Sequence, residues 1–338
     1  MSLRITYVLP AAELNGGVKV VLQHAELLRE AGHRLTVLGA GPRQGWFPWR
    51  LRYVDIGLGP ARLPSQDLVI ATFWTTIDVA LALRLGPVAH LCQGYEGALV
   101  HLRAQWPEIE ARYALPLPAF AVAPHLSEFL RTRFARESRL VPPSLDPRFR
   151  PAWRRGPSRR PRIFVPGIFE AEVKGVATAL EAIRRMRERG IDSRVLRLSV
   201  LPPSEAERRL LVADTFLRGV LPRVVARRLR HSDLLLLASR EAEGFGLPLL
   251  EAMASGVPAV ASRIPATAFA SGGSVERVPA DDPDAFADAA ERLLIDPRAW
   301  RDARDRALAA AQRFHPEAVQ RQLLAAVEWA RGAGSAPR

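Results

Sequence analysis

A single cysteine among 338 residues, Cys92, excludes an internal disulfide and any all-cysteine metal site. Its expected role is that of a small buried apolar residue. Lysine is almost as scarce: 46 of the 48 basic residues are arginine, and the lysines are Lys19 and Lys174. Such a skew fits a genome that favours arginine codons, so each retained lysine raises the question of what it does. No apolar stretch is long enough to span a bilayer, and no low-complexity tract interrupts the chain. The opening "MSLRITYVLP" has neither the apolar core nor the small-residue cleavage site of a signal peptide, and "RITYVLP" reads as a buried first strand. A cytoplasmic protein is expected. Histidines do not recur at ligand spacing, His33 and His315 falling at a helix end and a helix start, so no metal site is expected.

What is present is a globular composition, 48% hydrophobic and 25% charged, in a chain longer than one core usually supports. Two domains with a cleft between them are the default expectation. The net charge of +13 is compatible with nucleic acid, an anionic membrane or a phosphorylated small molecule, and does not choose among them. "RITYVLP", the tight loop Asn15-Gly16-Gly17, the amphipathic stretch "VKVVLQHAELLREAG" and "RLTVLGA" form a β-α-β unit. "DLVIAT" and "VAHLCQ" add strands that alternate with helical stretches, as in an open parallel sheet.

From "VPPSLDPRFRP" to "WRRGPSRRPR" periodicity is lost, and the domain boundary is placed near Gly156. The pattern then restarts with "RIFVPG", a loop, Lys174-Gly175 and the helix "VATALEAIRRMRERG", followed by the strands "RVLRLSV", "DLLLLAS" and "PAVAS". A glycine loop and a lysine follow the first strand of each half, which predicts two similar doubly wound domains facing one another. Asp281, Asp282 and Asp284 are better explained as a helix-start cluster than as a metal site.

Between "DLLLLAS" and the helix "PLLEAMASG" lies Glu243-Gly-Phe-Gly-Leu-Pro-Leu-Leu-Glu251. Pro248 suits a first helical turn, and the glycines let a ligand approach backbone N–H groups at a helix start, a ready anion site. Glu251 is expected in that first turn, able to accept two hydrogen bonds from a ribose diol, with Glu243 at the strand end. On spacing alone, two carboxylates that simply decorate a helix start are the favoured reading of the stretch.

The full string "EGFGLPLLEAMASGVPAVAS" resembles the motif of retaining glycosyltransferases of the GT-B architecture, family four (glycosyl transferases group 1), with two glutamates separated by seven residues. "NGGVKVVLQHAELLREAGHRLTVL", "VPPSLDPRFRP", "PGIFEAEVKGVATALEAI" and "FLRGVLPRVVARRLRHSDLLLLAS" are similar to further segments of that family, in the same order.

The resemblance implies two facing Rossmann-like domains: residues 1–155 on the acceptor side and 156–315 binding the nucleotide sugar, with a helix at about 316–332 returning to the first. It implies that Glu243 contacts donor-sugar hydroxyls, Lys174 neutralises the leaving phosphate and Glu251 holds the ribose. The backbone of Phe245, Gly246 and Leu247 would meet the diphosphate, which Gly16 and Gly17 would approach from the other domain, with Lys19 either adding field or a solvated side chain. The implied reaction moves a sugar from a nucleotide diphosphate sugar to a hydroxyl of a glycan or lipid-linked acceptor, with retention and without metal or cofactor.

Two departures stand out. Pro166-Gly167 is followed by Ile168 where the family usually has arginine, and "AHLCQGYEG" offers Gln93 where it usually has histidine, His90 lying three residues earlier. Gln93 can hydrogen-bond a sugar or acceptor but cannot act as a base. The Gln-x-Tyr-Glu segment resembles some bacterial rhamnosyltransferase-like members. Ile168 keeps open a second reading, a nucleotide-sugar-binding protein of the same fold without turnover; a phosphorylase would need a lysine in a pyridoxal phosphate context that neither Lys19 nor Lys174 has. "GPRQGWFPWRLRY", with Trp46, Phe47 and Trp49 among arginines, is either a folded-in loop or a contact with an anionic membrane at the inner face. "WRRGPSRRPR" lacks interleaved aromatics, so nucleic acid is not expected as a partner.

Overall fold

The computed structural model describes residues 2–47, 50–58, 63–154 and 156–333. The chain forms two compact units, one running up to Ser144 and including the segment from Phe314 on, the other spanning Leu145–Arg313. In the first, β1 (Arg4–Val8), β2 (Arg34–Gly39), β3 (Arg52–Asp55), β4 (Leu68–Ala71), β5 (Val88–Cys92), β6 (Ala119–Ala121) and β7 (Ser138–Leu140) pair in the order β3-β2-β1-β4-β5-β6-β7. In the second, β8 (Arg162–Pro166), β9 (Arg194–Ser199), β10 (Thr215–Arg218), β11 (Leu234–Leu237), β12 (Ala259–Ser262) and β13 (Glu276–Val278) pair in the order β10-β9-β8-β11-β12-β13.

Every pairing is parallel. Strands such as Leu234–Leu237 are buried along their whole length, as helices on both faces of a parallel sheet require. The order reverses between β1 and β4 and again between β8 and β11, and these switch points are where such sheets bind ligands, at the carboxyl ends of the strands.

The observed division falls before the expected boundary because Pro151 packs against Gly256, Arg154 donates to the Ser232 carbonyl at 2.6 Å and Arg154 pairs with buried Asp233. These contacts tie the proline- and arginine-rich segment to the second unit. Helix Pro316–Ala333 buries Val319, Leu323 and Val327 in the first unit, where Gln320 donates to the Leu27 carbonyl and Arg139 covers the Trp329 ring.

Helix Gly16–Glu30 starts at the expected loop itself: Gly16 and Gly17 are its first two residues, and Asn15 caps it by accepting the Val18 N–H at 2.8 Å. Asp282 caps helix Pro283–Ile295 through the Ala285 N–H, while Asp284 engages Arg185 and Arg189. Helix Pro297–Ala311, capped by Asp296, was not anticipated. Trp46 and Phe47 are folded in, the Trp46 indole donating to the Ala12 carbonyl at 3.0 Å, so these rings do not face a membrane; Trp49 lies outside the described residues.

Candidate functional site

The second unit assembles the site at the carboxyl ends of β8 and β11. A turn of 3-10 helix, Glu172–Lys174, follows β8, and Gly175 then adopts φ +55 to begin helix Val176–Glu188. A Cβ added to Gly175 would stand 1.8 Å from the Ala238 carbonyl oxygen, so only glycine allows this turn to lie against the end of β11. The Arg240 N–H donates to the Val173 carbonyl at 2.9 Å and fixes the same approach. The outcome is a contact between residues 69 apart: Lys174 Nζ donates to Glu243 Oε2 at 2.9 Å, and Ser239 Oγ donates to the same oxygen at 3.1 Å.

The Glu243 side chain is 10% exposed and that of Lys174 38%, so the ammonium reaches solvent while the carboxylate lies beneath it. Burial pushes the Glu243 carboxyl upward. The Lys174 charge and hydrogen bonds from Lys174, Ser239 and the Gly246 N–H outweigh it, holding the group below the usual carboxylate range. Gly246, at φ +85, caps helix Leu247–Ala254, with Pro248 in its first turn. The Gly246 N–H, expected to meet a diphosphate, is thus engaged by Glu243, leaving Leu247 as the residue that opens the helix. Phe245 is buried, its ring edge-on to Phe269 at 6.1 Å. Glu251 is half-buried in the second helical turn rather than the first, past the orphan N–H groups of the helix start.

No arginine follows Gly167. Beneath the loop, fully buried Arg197 from β9 donates to the Val165 and Gly167 carbonyls at 2.6 and 2.9 Å and pairs with Glu207 at 2.7 Å. It braces the strand end and presents no charge to solvent. An arginine inside the run "RVLRLSV" was the available signal for this brace, and it reads as a surface residue until the fold is known. At the opposite, amino-terminal strand ends, Arg160 and Arg187 line a depression but are neutralised by Asp192 and Asp214.

In the first unit, Gln93 follows β5 and its carboxamide lies against Gly17, where an added Cβ would meet Nε2 at 3.4 Å and Oε1 at 3.6 Å. Gly16, Gly17 and Gln93 therefore converge at the start of one helix. Lys19, one turn on, is 4% exposed and not a solvated side chain. His90 is buried within β5, away from Gln93 along the chain. Among the described residues no cluster of three or more His, Cys, Asp or Glu groups is arranged to hold a metal, and no helix is long and apolar enough to cross a membrane.

Comparison with known proteins supplies the context for this geometry. The family model described as Glycosyl transferases group 1 matches residues 160–296, the span that contains Lys174, Glu243 and Glu251. The chain is 26% identical to a phosphatidyl-myo-inositol mannosyltransferase of Mycolicibacterium smegmatis, over 98% of this chain and 95% of that protein. Among solved structures, a sucrose-phosphate synthase from Thermosynechococcus elongatus superposes with a TM-score of 0.78 at 20% identity, covering 98% of this chain and all of the other. The HepE protein of Anabaena, solved with UDP-glucose, superposes with a TM-score of 0.76 at 12% identity over 97% of this chain and all of that one.

Proposed function

We propose that this chain, a member of the glycosyl transferases group 1 family with the GT-B architecture, is a retaining glycosyltransferase. In this reading it moves a hexosyl or deoxyhexosyl group from a nucleotide diphosphate sugar to a hydroxyl of a glycan or lipid-linked acceptor, without metal. The observation that carries the reading is the Lys174–Glu243 contact at the β8/β11 switch point, beside the start of helix Leu247–Ala254. Negative charge grows on the diphosphate as the glycosidic bond breaks, and a preorganised ammonium with helix-start amides stabilises it where it develops. Lys174, the more exposed partner, is the group able to turn to a phosphate oxygen; Glu243, held ionised, is suited to accept hydrogen bonds from sugar hydroxyls. Neither step calls for an enzyme nucleophile, so attack on the donor's front face is the mechanism favoured.

Glu251 is assigned to the ribose diol, the backbone of Phe245 and Leu247 to the diphosphate, with Gly246 held by Glu243 between them, and Gly16, Gly17 and Gln93 to diphosphate and sugar on the first unit. Donor bases and sugars are best surveyed by incubating the protein with nucleotide sugars and hydroxyl acceptors, with and without chelator, while following nucleoside diphosphate release and product anomeric configuration. Chelator-insensitive release with retention is expected. Inversion, or loss of turnover on chelation, would remove the corresponding part of the assignment. Glu251→Ala is expected to weaken free nucleoside diphosphate binding by about 2–3 kcal/mol, the worth of a charge-assisted pair of hydrogen bonds; unchanged affinity by calorimetry would move the ribose elsewhere.

A further inference from the structure

The turn that carries Gln93 has a hydrogen-bond pattern that an ionised carboxylate cannot complete. Tyr113, at the end of helix Trp106–Tyr113, places its hydroxyl 2.8 Å from the Gly94 carbonyl oxygen and 2.5 Å from Glu96 Oε2. A phenol has one proton for these two acceptors. The Cys92 thiol, 3.5 Å from the same Gly94 carbonyl, is only a weak donor. Glu96 is 9% exposed, and among the described residues no cation pairs with it. A buried carboxyl without a counter-charge favours its neutral form.

We propose that Glu96 is a positioning residue held as a neutral acid: its O–H donates to Tyr113 Oη, Tyr113 donates to the Gly94 carbonyl, and this closed chain fixes the turn that sets Gln93 against Gly17. Two protons then serve two O–H···O links among three oxygens. Ionisation of Glu96 leaves one proton for the same three oxygens, Tyr113 turns to the carboxylate, and the Gly94 carbonyl loses its strong donor. The role in catalysis rests on the assignment of Gln93 to a sugar hydroxyl made above.

The surroundings leave Glu96 as the group that changes charge near neutrality. Burial pushes its carboxyl up to about 7, against the opposing hydrogen bonds from Tyr113 and from the backbone of Glu96 and Trp74. Burial also drives the Cys92 thiol up to about 12 and the Tyr113 phenol well above its ordinary value, so both keep their protons. His90, edge-on to the Tyr113 ring at 5.1 Å, is held neutral by burial and by Arg136, whose guanidinium lies 3.5 Å from His90 Nδ1 and donates to the Tyr113 backbone carbonyl at 3.3 Å. Tyr95 packs on Tyr113 and gives its hydroxyl to Glu110, which Arg133 neutralises at 2.9 Å. On helix Trp74–Ala82, Asp78 is paired with Arg112 at 2.8 Å.

The test compares wild type with Glu96→Gln, whose carboxamide keeps a donor at every pH, and reads both sugar transfer and the carboxyl infrared band that the substitution removes. In wild type the sugar-transfer kcat/KM is expected to fall roughly tenfold as pH rises through about 7, the effect of losing one hydrogen bond. Glu96→Gln should match the wild-type rate at low pH and show no such fall, while Tyr113→Phe should be slow throughout. The infrared band of the neutral acid should titrate with the same midpoint in the absence of any nucleotide sugar. A band showing Glu96 ionised throughout would overturn the neutral acid even in an active enzyme. A titrating band with identical pH profiles in wild type and Glu96→Gln would overturn the positioning role. Absence of transfer in both proteins would sink the transferase reading and the role of the turn with it, while the infrared titration would still decide whether the acid is present.

Discussion

Lys174 and Glu243 sustain one another, so neither can be altered without changing the other's chemistry. Removing the ammonium from its 2.9 Å contact leaves a carboxylate that is 10% exposed without its main counter-charge. Lys174→Ala is therefore expected to lower turnover by about two or more orders of magnitude, the loss typical of one preorganised transition-state donor. It should also shift the acid limb of the rate profile upward, because the lysine's charge and hydrogen bond, which do most to hold the Glu243 carboxyl down, are gone while burial remains. Lys174→Arg should recover part of the loss, its planar fork being a poorer fit to a site shaped for a compact ammonium. If Lys174→Ala and Glu243→Ala together cost the sum of the separate effects, the two side chains act independently and the pairing has no catalytic meaning.

Another single-residue effect concerns stability. His24 is fully buried, its Nε2 2.9 Å from the Pro142 carbonyl, and burial pulls its pKa to about 4 despite the opposing effect of that hydrogen bond. Unfolded histidine binds a proton at about 6.5, so between about 6.5 and 4 the unfolded chain takes up more protons than the folded one. The stability of neutral His24 is complete above that window and is lost as pH falls through it, by about 3 kcal/mol at full extent. His24→Gln should flatten the decline in urea midpoint between neutral and mildly acidic pH; an unchanged slope would assign the acid sensitivity elsewhere. Glu96 works in the opposite sense, since its raised pKa makes folding take up a proton and stability fall as pH rises from about 4.5 to about 7.

At the scale of elements, the contact between Lys174 and Glu243 depends on how the 3-10 turn Glu172–Lys174 meets the end of β11. Gly175→Ala would drive a methyl group into the Ala238 carbonyl at a left-handed backbone position. A cost on the order of 1–3 kcal/mol and a displaced Lys174 are expected, seen together as a lower denaturation midpoint and weaker nucleoside diphosphate binding. A drop in stability without a change in binding would mean that the turn does not place the lysine. The apolar strands β1, β2, β4, β5, β8, β9, β11 and β12 were legible in the sequence as buried runs. The strands β3, β7, β10 and β13 were not, because they are partly exposed and carry polar or charged side chains, and β6 is buried but only three residues long. Helix Pro297–Ala311 escaped notice because its buried face is built from Trp300 and alanines rather than from large aliphatic residues.

On the scale of the whole molecule, helix Pro316–Ala333 is distant in sequence from the unit it completes. It buries Val319, Leu323 and Val327 there, worth roughly 5 kcal/mol in apolar transfer. A chain ending after His315 should lose amide-exchange protection across the first unit while Leu145–Arg313 keeps it. Equal loss in both units would show that they do not fold separately. In the arginine-rich segment, Arg154 and Arg162 pair with Asp233 and Arg160 with Asp192, so each of these three charges has a carboxylate partner nearby.

The sequence by itself determined the α/β class, the repeated doubly wound pattern and the identity of Lys174, Glu243, Glu251 and Gln93 as the groups to watch. Periodicity, glycine loops and a motif are local properties of a chain and survive without coordinates. Only the tertiary structure decided that Lys174 and Glu243 touch, that Lys19 is buried and that Arg197 braces the strand end from below. It also paired one phenolic proton in Tyr113 with two acceptors around Glu96. Those facts depend on which residues, 10 to 69 positions apart, the parallel sheets bring to the same strand ends, where the neighbouring Lys174 holds the Glu243 carboxyl down and burial pushes that of Glu96 up.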